Sequence, residues 1–404
     1  HEPSRRQRQM CIRDSNNQHN KVYVTAVNSG TGALEIALDV LGVGSGDEVI
    51  VPGFMWISSI SAIIRSRAIP VLVDSDQTLG VDPEDLKIKI SERTKVIMVV
   101  PMLGGSSKIG EIMEVVRNVN NSRKKDNLSK IFVLEDCAQS LGAHAFGIPG
   151  SSQASLPEGC YKLGTFGDIG TFSLQLNKDI TAGEGGMVVT RDKELNDRVD
   201  ALHNAGYIKK EKNNINWYGD IPYGWGHGRR MSELQGAVAR VQLKKLDTIL
   251  DTIRENHSFF EEFFKKQGIK LRKRAYQNNP GDTGYYLCFH LPENLDDNTA
   301  ISKGREIAKD LKDKGFNVWF LHDFEVHIYY NIEPLVKKFP MNDGSPWEDP
   351  KNSFHTQYKY DRGALPNLDH LLIRTIGLNM PSKMSDNTRD NMMNDLLVTL
   401  KNLY

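Results

Sequence analysis

From residue 21 onward, short apolar runs alternate with stretches in which apolar residues recur every three or four positions. The runs are rich in β-branched residues and predict strands, and the three-to-four spacing predicts amphipathic helices. The predicted strands are 22–27, 48–52, 70–74, 95–100, 130–136, 170–174 and 187–190, and the predicted helices are 31–41, 56–67, 83–90 and 109–118. Strands that are apolar on both faces and alternate with helices predict an α/β fold with a mostly parallel central sheet flanked by helices.

The pattern changes after Asp247. Apolar spacing continues through a long helix, followed by predicted strands 283–291 and 317–322 and predicted helices 300–314 and 386–403. A chain of 404 residues also exceeds one ordinary hydrophobic core. We therefore expect a large domain over 21–247, and an inter-domain helix with a smaller C-terminal α+β domain over 248–404.

Residues 1–20 have a different composition from the rest of the chain. They are rich in arginine and contain no apolar stretch, so they do not resemble a secretory signal. We interpret them as a disordered or artefactual leader.

The overall charge and the cysteines exclude several classes of protein. The 51 Lys and Arg residues balance 51 Asp and Glu residues, which argues against a nucleic-acid or membrane surface as partner. The four cysteines are scattered without metal-ligand spacing, and no apolar run is long enough to span a bilayer. We expect a cytoplasmic protein with reduced thiols and without a metal site.

One lysine has an unusual setting. Lys178 lies between the apolar run 170–174 and a glycine-rich turn that contains Gly183, Gly185 and Gly186. A buried ammonium is costly unless it is paired or chemically consumed, and conversion to an imine removes the charge. The alternative interpretation is a loop lysine beside a β-turn.

A second candidate follows the first predicted strand. The sequence Ser29-Gly30-Thr31-Gly32 stands between a strand and a helix, where free backbone N–H groups and the helix dipole favour an anion such as phosphate. The alternative is an ordinary helix cap at Ser29 or Thr31.

Two further residues stand at the same edge of the predicted sheet. Asp136 ends a buried strand and needs a positive or hydrogen-bonding partner, and Trp56 opens a helix where its ring could cover a flat ligand. A phosphate site, a carboxylate, an aromatic face and a lysine are together the contacts that pyridoxal 5'-phosphate (PLP) requires.

Six motifs carry a resemblance to the DegT/DnrJ/StrS family of PLP-dependent sugar aminotransferases, which have fold type I. They are SGTGAL (29–34), VPGFMW (51–56), PVLVD (70–74), EDCAQSLGA (135–143), GDIGTFSLQLNKDITAGEGG (167–186) and RMSELQGAVARVQLKKLD (230–247). The resemblance implies a homodimer and a ping-pong transaminase that moves an amino group from glutamate or glutamine to a keto-sugar or keto-sugar acid. It assigns the Schiff base and proton transfer to Lys178, the pyridinium contact to Asp136, and further cofactor contacts to Thr31, Gly32, Trp56, Gln139 and Ser173.

The chain departs from the family pattern in three places. Gly228 replaces an Asn that reaches the neighbouring subunit's phosphate, with His227 or Arg229 as candidate substitutes. Gln175 stands where many members have His, which suggests a different substrate wall and favours a keto-sugar acid over a nucleotide-linked hexose or an inosose. The usual N-terminal helix before the SGT motif is absent from this sequence.

Other functions stay open at this point. One is another fold type I reaction, namely sugar dehydration or β-elimination, although Lys178 argues against dehydratases that carry His there. Another is a catalytically dead PLP-fold binding protein.

The aromatic-rich segment 327–350 is long and irregular. Such loops are often functional, and we expect part of it to border the substrate pocket. His322 and His327 are either ligands or acid/base groups, or structural residues.

Overall fold

The computed structural model describes residues 21–151, 156–206, 208–209, 215–216, 224–277 and 281–401, so the predicted leader 1–20 lies outside the described residues. The strands are β1 Tyr23–Val27, β2 Glu48–Pro52, β3 Ile69–Val73, β4 Thr94–Val99, β5 Phe132–Asp136, β6 His144–Gly147, β7 Gly159–Lys162, β8 Ile169–Ser173, β9 Gly186–Thr190, β10 Ile208–Lys209, β11 Ile215–Asn216, β12 Tyr286–His290, β13 Val318–Phe320 and β14 Thr375–Asn379.

The α-helices alternate with these strands in the first half of the chain, as the sequence predicts. They are α1 Gly30–Val40, α2 Ile57–Arg65, α3 Pro83–Lys89, α4 Ile109–Lys125, α5 Lys193–Leu202, α6 Glu233–Leu243, α7 Leu246–Lys266, α8 Asp297–Asp313, α9 Glu333–Val336, α10 Pro366–Leu372 and α11 Asp386–Leu400. Short 3-10 turns occupy Leu321–Asp323, Glu325–His327, Tyr329–Asn331 and Pro350–Gln357.

The central sheet has seven strands in the order β1-β9-β8-β5-β4-β2-β3. Strand β9 runs antiparallel to both its neighbours, and the other paired strands run parallel. The prediction of a mostly parallel central sheet is therefore confirmed. Because β5 and β8 are adjacent and parallel, their carboxyl ends lie side by side.

A second, three-stranded antiparallel sheet has the order β12-β14-β13. Its core includes Phe260 and Phe264 of α7, which pack with Phe289 and Leu378. The sequence predicts the two outer strands, but the central strand β14 was not predicted. The division of the chain at residue 247 stays a prediction.

The segment after β13 packs against the large sheet. Tyr329, Leu365 and Leu368 are fully buried in the same apolar cluster as Phe54 and Met55. The C-terminal part of the chain thus reaches the carboxyl edge of the large sheet, where the candidate residues lie.

Candidate functional site

Three segments converge at the carboxyl edge of the large sheet. Strand β5 ends at Asp136, β8 ends at Ser173 beside it, and α1 begins at Gly30 in contact with Ser173. The chain reaches Lys178 five residues after Ser173, through a turn in which the Lys178 N–H donates to the Gln175 carbonyl at 3.1 Å. The fold therefore brings together residues that the sequence places more than 140 positions apart.

At the start of α1, the helix backbone lies very close to the end of β8. A Cβ on Gly30 would lie 2.8 Å from Ser173 Cβ, so only glycine fits against the end of β8. Ser29 is the helix cap, since its Oγ accepts from the Gly32 N–H at 3.0 Å. The Thr31 hydroxyl instead lies 2.9 Å from Ser58 Oγ. The capping interpretation thus applies to Ser29, and a phosphate contact at Thr31, Gly32 or Ser173 stays a prediction.

Asp136 is 4% exposed and held from two sides. Ser59 Oγ donates to Oδ2 at 2.8 Å, and the Ala138 N–H donates to Oδ1 at 3.3 Å. Burial raises the pKa of Asp136, and the Ser59 hydrogen bond and the Lys178 charge partly oppose that rise. A cation placed next to this carboxylate would be stabilised strongly.

Lys178 is half-buried, and burial lowers the pKa of its amine against the opposing charges of Asp136 and Asp179. The amine and the Asp136 carboxylate are thus close enough to perturb each other's pKa. A lysine with a lowered pKa is neutral in a larger fraction of molecules, and a neutral amine is the form that acts as a nucleophile or base.

Sequence reasoning missed Asp179. Burial raises the pKa of this carboxyl to about 7, although Lys178 and Arg254 lower it in part. The available signal was the charged residue directly after Lys178 in an otherwise apolar and glycine-rich stretch. Asp179 is therefore a second titratable group beside the lysine.

Gln139 and Trp56 complete the predicted set. Gln139 Oε1 accepts from the Leu103 N–H at 3.0 Å, which fixes the amide side chain after β5. Trp56 directly precedes α2, and its side chain is 42% exposed, which is a large fraction for a tryptophan. Its exposed ring offers a flat apolar face.

Residues 321–331, called the strap below, form the opposite side of the site. The Met55 N–H donates to the His327 carbonyl at 3.0 Å, and the Tyr329 N–H donates to the Gly53 carbonyl at 2.9 Å. The ring centroids of His327 and Trp56 are 4.7 Å apart. His322 lies elsewhere on the strap, where Nδ1 is 3.3 Å from the Tyr330 hydroxyl. His322 and His327, which are equivalent candidates by sequence, therefore have different surroundings in the structure.

The candidate substitutes for the family's Asn are both paired within the same chain. Arg229 forms an ion pair with Glu35 of α1 at 2.5 Å, and His227 Nε2 lies 2.9 Å from Asp39 Oδ2. Gly228 between them is exposed, with a φ of 64°. A contact from this loop to another subunit stays a prediction.

Neither a cluster of metal ligands nor a membrane-spanning helix is found among the described residues. Over those residues, no group of three or more His, Cys, Asp or Glu side chains could hold a metal ion. None of the described helices is both long enough and apolar enough to cross a membrane.

Comparison with known proteins agrees with this geometry. The sequence model of the DegT/DnrJ/EryC1/StrS aminotransferase family matches residues 14–339. The chain is 38% identical over 239 residues to GDP-perosamine synthase of Escherichia coli O157:H7, covering 59% of this chain and 57% of that protein. It is 32% identical over 282 residues to L-glutamine:2-deoxy-scyllo-inosose aminotransferase of Streptomyces kanamyceticus, covering 68% of this chain and 60% of that protein.

The chain thus spans somewhat under two thirds of the length of these relatives. A solved aminotransferase from Psychrobacter cryohalolentis has the same fold, with a TM-score of 0.68 and 24% identity over 94% of this chain and 88% of that one.

Proposed function

Since the chain belongs to the DegT/DnrJ/EryC1/StrS aminotransferase family, we propose that it binds PLP and transfers an amino group from glutamate or glutamine to a keto-sugar or keto-sugar acid. The observation that carries this proposal is that strand β5, which ends at Asp136, and strand β8, which leads to Lys178, end side by side where α1 begins, with the two charges close enough to shift each other's pKa.

The residues present fit this cofactor. Ser173 and the first turn of α1 meet with no room for a Cβ at Gly30, so a phosphate would be able to approach the N-terminal end of α1 closely beside Ser173. Asp136 is a buried carboxylate in need of a cation, and a protonated ring nitrogen is such a cation. Trp56 offers its exposed face to the ring, and the Gln139 amide is fixed close by.

PLP, when bound, supplies an aldehyde that condenses with an amine and a conjugated ring that accepts the electron pair of a broken C–H bond. In the proposed reaction, Lys178 Nζ would be the amine that holds the cofactor, and in its neutral form it would accept the α proton of the amino donor. The Asp136 carboxylate would hold the ring nitrogen in its protonated form, since this buried charge attracts a proton. In the second half-reaction, Lys178 Nζ returns a proton to the carbon that receives the amine.

Absorbance spectroscopy of the purified protein with added PLP tests attachment to Lys178. We expect a band near the visible edge that borohydride abolishes, because only an imine is reduced. A catalytically dead binding protein would give no such band. One equivalent of glutamate or glutamine, without any sugar, should then give one equivalent of 2-oxo acid if the reaction is transamination. Ammonia release that depends on a sugar substrate would instead indicate elimination or dehydration.

The acceptor is then identified with pyridoxamine phosphate-loaded protein and a panel of ketones. The panel contains a nucleotide-linked keto-hexose, 2-deoxy-scyllo-inosose and a keto-sugar acid. The acceptor is the ketone that restores the PLP absorbance at the highest rate. Failure of all three classes would contradict the proposed acceptor class while leaving the donor half-reaction intact.

We also propose a homodimer. Leu234, Val238 and Val241 are 81%, 46% and 54% exposed along one face of α6, at the spacing of a helix contact surface. A second copy of the chain would bury this face. Light scattering should give twice the chain mass, and Leu234→Glu should shift it toward the monomer; a monomeric wild-type protein would refute the proposal.

A further inference from the structure

We propose that His327 binds the acceptor, with Nε2 accepting a hydrogen bond from a hydroxyl of the keto-sugar. This inference rests on the proposed function and adds to it a residue that recognises the acceptor. The amino donor forms no hydrogen bond with this residue.

The strap fixes the position of His327 through its backbone. The antiparallel bridge between Phe54 and Ile328, with the two hydrogen bonds on either side of it, holds 327–329 alongside 53–55. A Cβ on Gly53 would lie 3.0 Å from Cδ1 of Tyr329, so the strap backbone and side chain lie directly against Gly53. The imidazole next to Trp56 is therefore held in place before any ligand binds.

The His327 imidazole has one preferred tautomer, and it is neutral. His327 Nδ1 is 3.1 Å from the Phe324 carbonyl oxygen, which can only accept, so Nδ1 carries the proton and Nε2 carries the lone pair. The Phe324 ring is parallel to the imidazole at 4.0 Å between centroids and fixes its plane. Burial and the Lys178 charge both lower the pKa of His327, to about 4, and the ring is therefore neutral near pH 7.

The neutral Nε2 favours one partner over another. It accepts from an O–H group, but its lone pair repels a carboxylate, and glutamate, glutamine and a keto-sugar acid all bring a carboxylate to the site. Among the acceptors of the proposed function, Nε2 therefore favours a keto-sugar without a carboxylate. A keto-sugar without a carboxylate brings several hydroxyls to an imidazole that lies beside Trp56, the residue proposed to cover the cofactor ring. The arrangement thus suits the acceptor half-reaction.

The test measures the two half-reactions separately in the PLP-loaded full chain. The donor probe is glutamate or glutamine. The acceptor probes are 2-deoxy-scyllo-inosose with the amine-loaded enzyme and GDP-perosamine in the reverse direction. The variants are His327→Phe, which keeps an aromatic ring without an acceptor, and His327→Gln, which keeps an acceptor oxygen near the position of Nε2. The control is His370→Phe, at an exposed histidine of α10 that lies outside the strap.

We expect His327→Phe to lower kcat/KM of the acceptor step by roughly ten- to a hundred-fold, because a sugar hydroxyl is left without a partner. The donor step should change less than about two-fold. His327→Gln should recover part of the loss, and His370→Phe should leave both steps unchanged. Calorimetric titration of the apoprotein with the reactive sugar should show the same order of affinities without turnover.

An acceptor step unchanged in His327→Phe would overturn the inference, and so would an equal loss in both steps. Absence of the donor step in the wild-type protein would instead refute the proposed transaminase function. The two failures are thus distinguishable.

Discussion

The two sides of the site are built differently. On the large-sheet side, Asp136 and Ser173 stand at the ends of adjacent parallel strands, and a short turn delivers Lys178. On the strap side, three 3-10 turns present His327 through two backbone hydrogen bonds to 53–55. Regular strands fix the groups that both half-reactions of the proposed function would use. An irregular segment forms the surface that, in our inference, the acceptor alone would contact. The position of a residue on one side or the other therefore predicts which half-reaction its loss affects.

The largest effect should come from Lys178→Ala. Loss of the amine removes both cofactor attachment and proton transfer, so both half-reactions should fall by at least roughly 10³-fold. Activity is measured in single turnovers, and thermal unfolding should show an intact fold. Lys87→Ala, at an exposed lysine of α3, is the matched control. Turnover retained in Lys178→Ala would contradict the role of this residue.

Asp136→Asn should come next, with a loss of roughly 10²- to 10³-fold in both half-reactions. The amide has the same shape and keeps a partner for the Ser59 hydroxyl, but it cannot hold a proton on the ring nitrogen by charge. Cofactor binding, followed by fluorescence titration, should persist. A rate equal to that of the wild type would argue against the pyridinium contact, and a loss in only one half-reaction would break the distinction between the two sides.

Asp179 makes the stability of the apoprotein depend on pH. Its folded pKa of about 7 lies above the ordinary value of 3.8, so the folded state binds more protons between these values and loses stability as pH rises through that window. Asp179→Asn removes the penalty. The variant should be more stable than the wild type by about 1–3 kcal/mol at pH 8, after allowance for partial solvent screening, and equal to it near pH 4.

Urea unfolding at the two pH values measures this difference. Asp126→Asn, at an exposed carboxyl after α4, is the control and should show no such pH dependence. A wild-type protein that gains stability from pH 4 to pH 8 relative to Asp179→Asn would reverse the expected sign and exclude a raised pKa.

The smallest effect should come from Gln175. Its Oε1 accepts from the Asn177 N–H at 2.8 Å and braces the turn that carries Lys178. Gln175→Leu should slow both half-reactions by about two- to ten-fold, since one hydrogen bond is lost. Gln175→Asn should restore much of the rate, because Asn readily accepts from the N–H two residues on. A change confined to the acceptor step would instead support the substrate wall that the sequence suggests at this position.

The sequence allowed prediction of the large sheet and of the residues at its strand ends because both depend on local patterns. The strand runs, the SGT turn and Lys178 in its glycine-rich context can each be recognised within about ten residues of sequence. The strap was not predictable in this way. Its seat joins 53–55 to 327–329, and backbone hydrogen bonds between segments so far apart leave no periodic signal. The central strand β14 was missed because five residues interrupted by Gly377 resemble a loop.

The seat at Gly53 restricts how sugar preference can diversify. With Leu365, Leu368 and Tyr329 all within 3.0 Å of the position of a Cβ, no other residue fits at 53 without moving the strap. The exposed strap residues Asp323 and Glu325 meet no such barrier, whereas the buried Ile328 and Tyr329 do. We therefore expect related enzymes with different acceptors to differ in sequence within 321–331 while residue 53 stays glycine. The donor and acceptor half-reactions would then evolve separately.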